Sequence, residues 1–152
     1  YPPRVTAFTE PFWAALAAGR LTTTRCTRCH EAMFPPRPIC PRCLSRQVDW
    51  APVSPRGTLY SHTVVHIAPE IFAAEAPYAL GIVDLAGGLR IAMRVLGPPA
   101  GLRVGQAGNV VCLRHPDGPY FAFLADEAVH PAGPSPASIS SAAISSAGAS
   151  PT

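Results

Sequence analysis

No uninterrupted apolar run in this sequence is long enough to cross a bilayer, although 48% of its residues are hydrophobic and only 14% are charged. That composition suits a globular protein and excludes a membrane-spanning helix. Also missing are the strings that announce common active sites: G-x-S-x-G, H-E-x-x-H, a P-loop and a dinucleotide fingerprint. No pair of acids stands in a recognisable catalytic setting. His62 and His66, read on one face of a strand, lie roughly 13 Å apart at the strand rise, too far to share a metal, and are expected at the surface or facing a partner. Lysine is absent too, so all 12 basic residues are arginine. A chain of 152 residues accommodates one ordinary domain or two small ones.

The arginines are unevenly placed. Arg20, Arg25, Arg28, Arg37, Arg42 and Arg46 stand against a single acid, Glu31, which makes residues 20 to 46 formally +5. Residues 47 to 127 hold five arginines and seven acids and are −2, while Arg4 and Glu10 cancel, giving the +3 of the whole chain.

The same basic stretch carries four of the five cysteines. Cys26-Thr27-Arg28-Cys29 is separated by ten residues from Cys40-Pro41-Arg42-Cys43. Each C-x-x-C aims two sulfurs at one point, and two such knuckles complete the tetrahedral four-thiolate shell that Zn²⁺ prefers. One structural Zn²⁺ on Cys26, Cys29, Cys40 and Cys43 is therefore expected. It would fold a unit of roughly twenty residues that has too little core of its own. A closed shell leaves no position for water or substrate, which argues against metal catalysis. Four thiolates around Zn²⁺ carry a net charge of −2, so part of the arginine excess balances the metal. Three other uses of these cysteines compete. Cys26 to His30 spells C-x-x-C-H, the haem-attachment string, but haem leaves the second pair unexplained and requires export. Disulfides need a secreted context. Iron accepts the same four-thiolate geometry. Metal-binding thiols are most easily kept reduced in the cytoplasm, where the protein is expected. Cys112, in the apolar run Val110 to Leu113, reads as a buried small hydrophobe.

Local signals divide the chain into four parts. Residues 1–21 are an N-terminal helical segment: Thr9 is a candidate N-cap, Glu10 and Pro11 suit a first turn, and Gly19 a C-terminal cap. Residues 22–47 are the zinc ribbon. Residues 48–127 are mainly β: Thr58 to His66 alternates as a half-buried strand, Tyr78 to Leu85 and Leu89 to Leu96 flank Ala86-Gly87-Gly88, and Asn109 to Arg114 and Pro119 to Leu124 flank Pro116-Asp117-Gly118. About five short strands without a strong helix between them make an OB-fold barrel the leading architecture. Residues 128–152 read as a disordered low-complexity tail, because from Pro131 onward only Pro, Ala, Ser, Gly, Ile and Thr occur.

Phe12-Trp13, Gly19-Arg20-Leu21, the four cysteines with Phe34-Pro35-Pro36-Arg37 in their spacer, Gly57-Thr58-Leu59-Tyr60-Ser61, Pro77-Tyr78 leading into Val83-Asp84-Leu85, and Val104-Gly105 occur in this order. Together they resemble the acyl-CoA-associated zinc-ribbon OB-fold proteins, the group long labelled domain of unknown function thirty-five. The resemblance runs from about Phe8 to Phe123. It implies an N-terminal helical element, a rubredoxin-like ribbon and a C-terminal OB-fold. It further implies a non-catalytic partner of thiolase-superfamily enzymes, including thiolases and lipid-transfer-protein-like aldolases that cleave steroid side-chain CoA esters, with contact to acyl-CoA open. Some members are fused behind an enoyl-CoA hydratase of the MaoC type, and a chain beginning at Tyr1 would fit a piece of such a fusion.

Three functions follow, the third being a catalytic acyl-CoA enzyme in its own right, in which His62 or His66 acts with groups that the sequence does not place. The first is an accessory domain of an acyl-CoA enzyme. The second is an OB-fold module for single-stranded nucleic acid, which needs a positive groove interleaved with aromatics and is disfavoured by the −2 of the β portion. For the first, the candidate contacts are Trp13, Arg37, Ile71 and Phe72. The segment from Ala68 to Ala76 is too apolar for a purely solvated loop: either Ile71 and Phe72 cap the barrel core, or they join Trp13 and the ribbon arginines on a partner.

Overall fold

The structure is a computed structural model that describes residues 4–126; the tail read at 128–152 lies outside the described residues. The first element is a helix, α1 (Glu10–Ala17), with Pro11 in its first turn. Thr9 occupies the N-cap but does not cap with its side chain. Its own backbone is already helical, at φ −89° and ψ −9°, so its hydroxyl turns back instead of reaching the first helical amides. Thr6 N–H donates to Thr9 Oγ1 at 2.8 Å, and Thr9 N–H donates to Thr6 Oγ1 at 3.2 Å. The other end closes as the sequence predicts: Gly19 adopts φ +78°, and the N–H groups of Gly19 and Arg20 donate to the carbonyls of Leu16 and Ala15. Phe12, Ala15 and Leu16 form the buried face of this short helix.

Three strands build the ribbon: β1 (Thr22–Cys26), β2 (Ala32–Met33) and β3 (Val48–Pro52), in the order β2-β1-β3. The β1–β3 register places Thr22 opposite Pro52 and Cys26 opposite Val48, so the sheet that carries the first knuckle extends to Pro52.

Five further strands form a closed barrel: β4 (Arg56–Val65), β5 (Tyr78–Leu85), β6 (Leu89–Leu96), β7 (Ala107–His115) and β8 (Gly118–Ala125). Their order β4-β5-β6-β8-β7, with β6 and β8 parallel and β7 closing antiparallel on β4, is the Greek-key arrangement of an OB-fold. Closure leaves no free sheet edge and is latched by Arg56, which donates to both carboxylate oxygens of Asp126. The strands approach closely where glycine faces inward. A Cβ on Gly108 would fall on the Leu124 carbonyl and within 2.5 Å of Phe123 Cζ. One on Gly81 would lie 2.6 Å from Leu59 Cδ1.

The core runs without interruption from α1 through the base of the ribbon into the barrel, joining Phe12, Leu16 and Leu21 to Leu59, Val83, Ile91, Val95 and Phe123. Phe34, from the spacer between the cysteine pairs, meets Phe12 and Phe121 edge-on at centroid distances of 6.2 and 5.6 Å. The ribbon is thereby seated on the barrel by an aromatic stack.

One expectation is corrected. His62 does not lie on the outer face of β4, and His66 falls beyond the strand. The register of β4 on β5 shifts by one residue between Leu59 and Ser61, and this bulge reverses the alternation beyond it. His62 then pairs with the inward Gly81 and is half-buried, its Nδ1 buried without a hydrogen-bond partner among the described residues. His66 lies past the end of β4, exposed.

Candidate functional site: a four-sulfur centre and an aromatic groove

The two C-x-x-C segments fold as near copies of each other. Cys26 N–H donates to the Glu31 carbonyl and Cys26 C=O accepts His30 N–H, each at 2.9 Å; Cys40 N–H donates to Ser45 and Cys40 C=O accepts Leu44 N–H at the same distance. Both turns end on a left-handed residue, His30 at φ +62° and Leu44 at φ +59°. The two turns bring all four Sγ atoms within 4.8 Å of one another. Cys26 and Cys43 sulfurs lie 3.6 Å apart, and Cys29 and Cys40 sulfurs 3.5 Å. A tetrahedron with Zn–S bonds of about 2.3 Å has edges of about 3.8 Å, so the donor set fits one four-coordinate ion. These separations also far exceed a bonded S–S distance of about 2.05 Å, and all five cysteines are free thiols.

The sulfurs perturb one another. Cys26 is lowered to about 6, chiefly by the backbone N–H of Cys29, with further help from Arg28 N–H and Cys43. Cys29 receives a hydrogen bond from Glu31 N–H that favours its thiolate, yet burial and the hydrogen bonds with Cys43, Cys40 and Cys26 outweigh it and push the thiol up to about 12. A second negative charge is opposed until a cation arrives. Cys112, apart from this cluster on β7, is raised by burial, in keeping with a packed thiol.

A second feature opens where α1, the 3-10 turn Glu70–Glu75 and the β7–β8 hairpin meet β5. It is a groove of about 560 Å³ walled by Trp13, Phe72, Tyr78, Leu80, Pro119 and Tyr120. Its polar groups are largely engaged. Arg94 donates to Glu75 and lays its guanidinium 4.6 Å over the Tyr78 ring, while His115 meets the edge of Tyr120. What remains exposed is mostly carbon surface of the size that takes a side-chain anchor or a small apolar group.

Trp13 and Phe72, singled out from the sequence, stand together in this groove. Phe72 is 41% exposed and is not part of the barrel core. Ile71 lies in the same 3-10 turn, with its side chain outside the described residues. Arg37 is elsewhere. It is exposed on the ribbon, bordering a smaller hollow of about 250 Å³ with Phe34, Pro41, Leu89 and Arg90. Sequence reasoning missed Tyr78, Arg94 and Tyr120. For Tyr78 a signal existed, since the alternation of β5 puts Tyr78, Leu80 and Ile82 on the outward face of Asp84. For Tyr120 there was none, because only barrel closure carries the start of β8 to the turn after β4.

Residues 13–49 match the family described as ChsH2, rubredoxin-like zinc ribbon domain, and residues 50–111 match ChsH2, C-terminal OB-fold domain. With the four-sulfur cluster, the first match makes the centre a site for one structural zinc. The chain is 34% identical over 104 residues to the benzoylsuccinyl-CoA thiolase subunit BbsA of Thauera aromatica, covering 66% of this chain and 71% of that one. It is 36% identical over 77 residues to a DUF35 domain-containing scaffold protein of Methanocaldococcus jannaschii. That alignment covers 50% of this chain, which spans about half of the relative's length, 55%. Among solved structures, the Ltp2-ChsH2(DUF35) aldolase superposes with a TM-score of 0.71 at 28% identity, over 81% of this chain and 98% of the other.

Proposed function

The chain belongs to the DUF35 family, and from that premise we propose that it is a non-catalytic accessory domain whose zinc ribbon and OB-fold dock on and support a thiolase-like enzyme acting on an acyl-CoA. The observation that carries this reading is the likeness, over 81% of this chain, to 98% of a chain of the Ltp2-ChsH2(DUF35) aldolase. The likeness to BbsA, a thiolase subunit, supports the same class of partner. The partner is a thiolase or a lipid-transfer-protein-like aldolase, with an enoyl-CoA hydratase as a further companion, and the pathway one of steroid side-chain or lipid degradation in the cytoplasm. No helix among the described residues is long and apolar enough to cross a membrane.

In this reading zinc holds the ribbon in shape and takes no part in turnover, because four thiolates fill its shell. Trp13 and Phe72 are the anchors of the aromatic groove, where large apolar side chains carry most of the binding energy, and Ile71 belongs to the same segment. Arg37 contributes at the ribbon. The test is co-purification of the tagged chain from its native host, with mass spectrometry of what remains bound, followed by reconstitution. A thiolase-superfamily enzyme should be recovered, and its activity or stability should rise on adding the chain, which alone turns over no hydratase, thiolase or aldolase substrate. Robust turnover by the rigorously purified single chain would overturn the proposal, as would the absence of any thiolase-superfamily enzyme from the bound fraction.

A further inference from the structure

The left-handed residue that ends each zinc knuckle is a position for glycine, which adopts positive φ freely, or for asparagine, whose side chain compensates locally. This chain places Leu44 there in the second knuckle, at φ +59°. A leucine in that conformation is strained, and inside a protein the strain is normally offset by packing the side chain. Here it is not, because Leu44 is 76% exposed. Two unfavourable features, a strained backbone and a bare aliphatic side chain, coincide at one residue.

Its surroundings are cationic. Arg42 and Arg46 flank it in sequence, and both are exposed. Thr27 donates to the Gln47 carbonyl through its N–H at 3.0 Å and its hydroxyl at 3.1 Å, which ties the segment that follows Arg46 to the first knuckle beside exposed Arg28. Glu31, the one acid between residues 20 and 46, sits 3.4 Å from Arg42. Ile39, before the second knuckle, adds another exposed apolar side chain.

We propose that this knuckle tip is a second docking surface, on which Leu44 enters an apolar pocket of the partner enzyme rimmed by Asp and Glu side chains that face Arg28, Arg42 and Arg46. The inference rests on the accessory-domain reading above and adds to it the place and chemistry of a contact remote in sequence from the aromatic groove. A phosphate ligand would be served by the arginines alone and leaves Leu44 unexplained. Single-stranded nucleic acid requires aromatic platforms, and Phe34, the one aromatic residue between positions 20 and 46, is engaged with Phe12 and Phe121. An aliphatic anchor ringed by arginine is instead the composition of a protein interface, where the anchor sets the lifetime and the charges set the encounter rate.

The probe is the thiolase-superfamily enzyme that co-purifies with the wild-type chain, itself purified and titrated against Leu44→Asn, the double variant Arg28→Gln/Arg46→Gln, and Ile67→Asn, a control at a 95% exposed position beyond β4. Leu44→Asn should keep one zinc per chain and melt at or above the wild-type temperature, because asparagine tolerates the left-handed backbone, yet bind the enzyme at least tenfold more weakly. The double arginine variant should associate more slowly and with a flatter salt dependence. Ile67→Asn should bind as wild type does. If Leu44→Asn binds within twofold of wild type, or melts well below it, the knuckle tip is not the contact even though the accessory function stands. If coenzyme A or a single-stranded oligonucleotide, rather than the enzyme, loses affinity for Leu44→Asn, the partner class is wrong. Failure of the wild-type chain to retain any thiolase-superfamily enzyme would overturn both readings together.

Discussion

The position of Phe72 separates a core role from a surface role with one pair of substitutions. Full burial of a phenylalanine is worth about 1.5–3 kcal/mol in transfer alone. Phe72 keeps 41% of its surface exposed, so somewhat more than half of that, about 0.9–1.8 kcal/mol, is the stability at stake in Phe72→Ala. No cavity term is added, since the side chain borders an open groove that water fills on truncation. Phe123 is the contrast: it is 0% exposed at the centre of the barrel, and Phe123→Ala should lose about 3–5 kcal/mol, transfer plus the cavity left behind. At roughly 4 °C per kcal/mol for a chain of this size, the two variants should be separated by about 5 °C or more in a calorimetric scan of the zinc-loaded chain. The same Phe72→Ala protein should lose about 2 kcal/mol or more of affinity for the thiolase-superfamily partner. A melting temperature as low as that of Phe123→Ala would refute the surface placement. Normal melting with undiminished affinity would remove Phe72 from the interface.

Gly108→Ala should destabilise the barrel by about 1–3 kcal/mol, because the new methyl meets a Leu124 carbonyl and an Ala125 Cα that cannot move aside without breaking the β7–β8 ladder; melting within about 2 °C of wild type would contradict the packing. Arg90 donates to both Asp84 oxygens, at 2.5 and 2.9 Å, and holds that carboxyl below the usual range. Its contribution is therefore complete above the ordinary aspartate value of about 3.9 and lost as pH falls through the depressed folded value; in Arg90→Gln the Asp84 midpoint, followed by carboxyl NMR, should move up, and an unmoved midpoint would discount the pair. Single-stranded DNA should bind weakly and release at moderate salt, as the −2 of residues 47 to 127 requires, and tight salt-resistant binding would promote the nucleic-acid alternative.

Much of the fold is legible because its punctuation is local. Ala86-Gly87-Gly88 marks a hairpin whose strands, Tyr78–Leu85 and Leu89–Leu96, fall where the alternation places them, with Gly87 and Gly88 both at positive φ. The paired cysteines are equally explicit, since their spacing alone aims four sulfurs at one point. The bulge in β4 is not legible. One extra residue near Tyr60 has no composition of its own, and only the pairing with β5 reveals that His62 turns inward. Once the phase has shifted, Arg90 lies 3.6 Å over the exposed Tyr60 ring while bridging Asp84, a cluster drawn from two strands and a bulge. The groove was half readable: residue type marks Trp13 and Phe72 as candidate anchors, but their convergence depends on where α1 and the β7–β8 hairpin come to rest. Leu44 gives no sequence signal at all, because an ordinary leucine becomes unusual only when the knuckle forces its φ positive.

Metal removal tests how the two halves depend on each other. The ribbon's own buried set is Cys26, Met33 and Cys40, with Cys29, Cys43 and Val48 partly covered, far too little apolar surface to order the segment without an ion. The barrel, by contrast, is a closed five-stranded sheet that supplies most of the main core, from Leu59 and Val83 to Val110 and Phe123. Anaerobic purification should yield one zinc per chain, and less than half an equivalent of zinc plus iron would sink the assignment. Chelation, or Cys40→Ser, should melt the knuckles first and leave the strand signal of the barrel largely in place, with amide protection lost from β1 and β2 and kept in β5 and β6. Affinity for zinc should fall as pH falls, because every thiolate needed by the ion must be freed from a proton, and the cluster opposes more than one negative charge until the metal arrives. The aromatic stack of Phe34 on Phe12 and Phe121 transmits part of the loss, so α1 and Trp13 should loosen while Phe123 stays buried. Loss of all β structure in one cooperative step on chelation would refute this division and make zinc a requirement for the barrel as well.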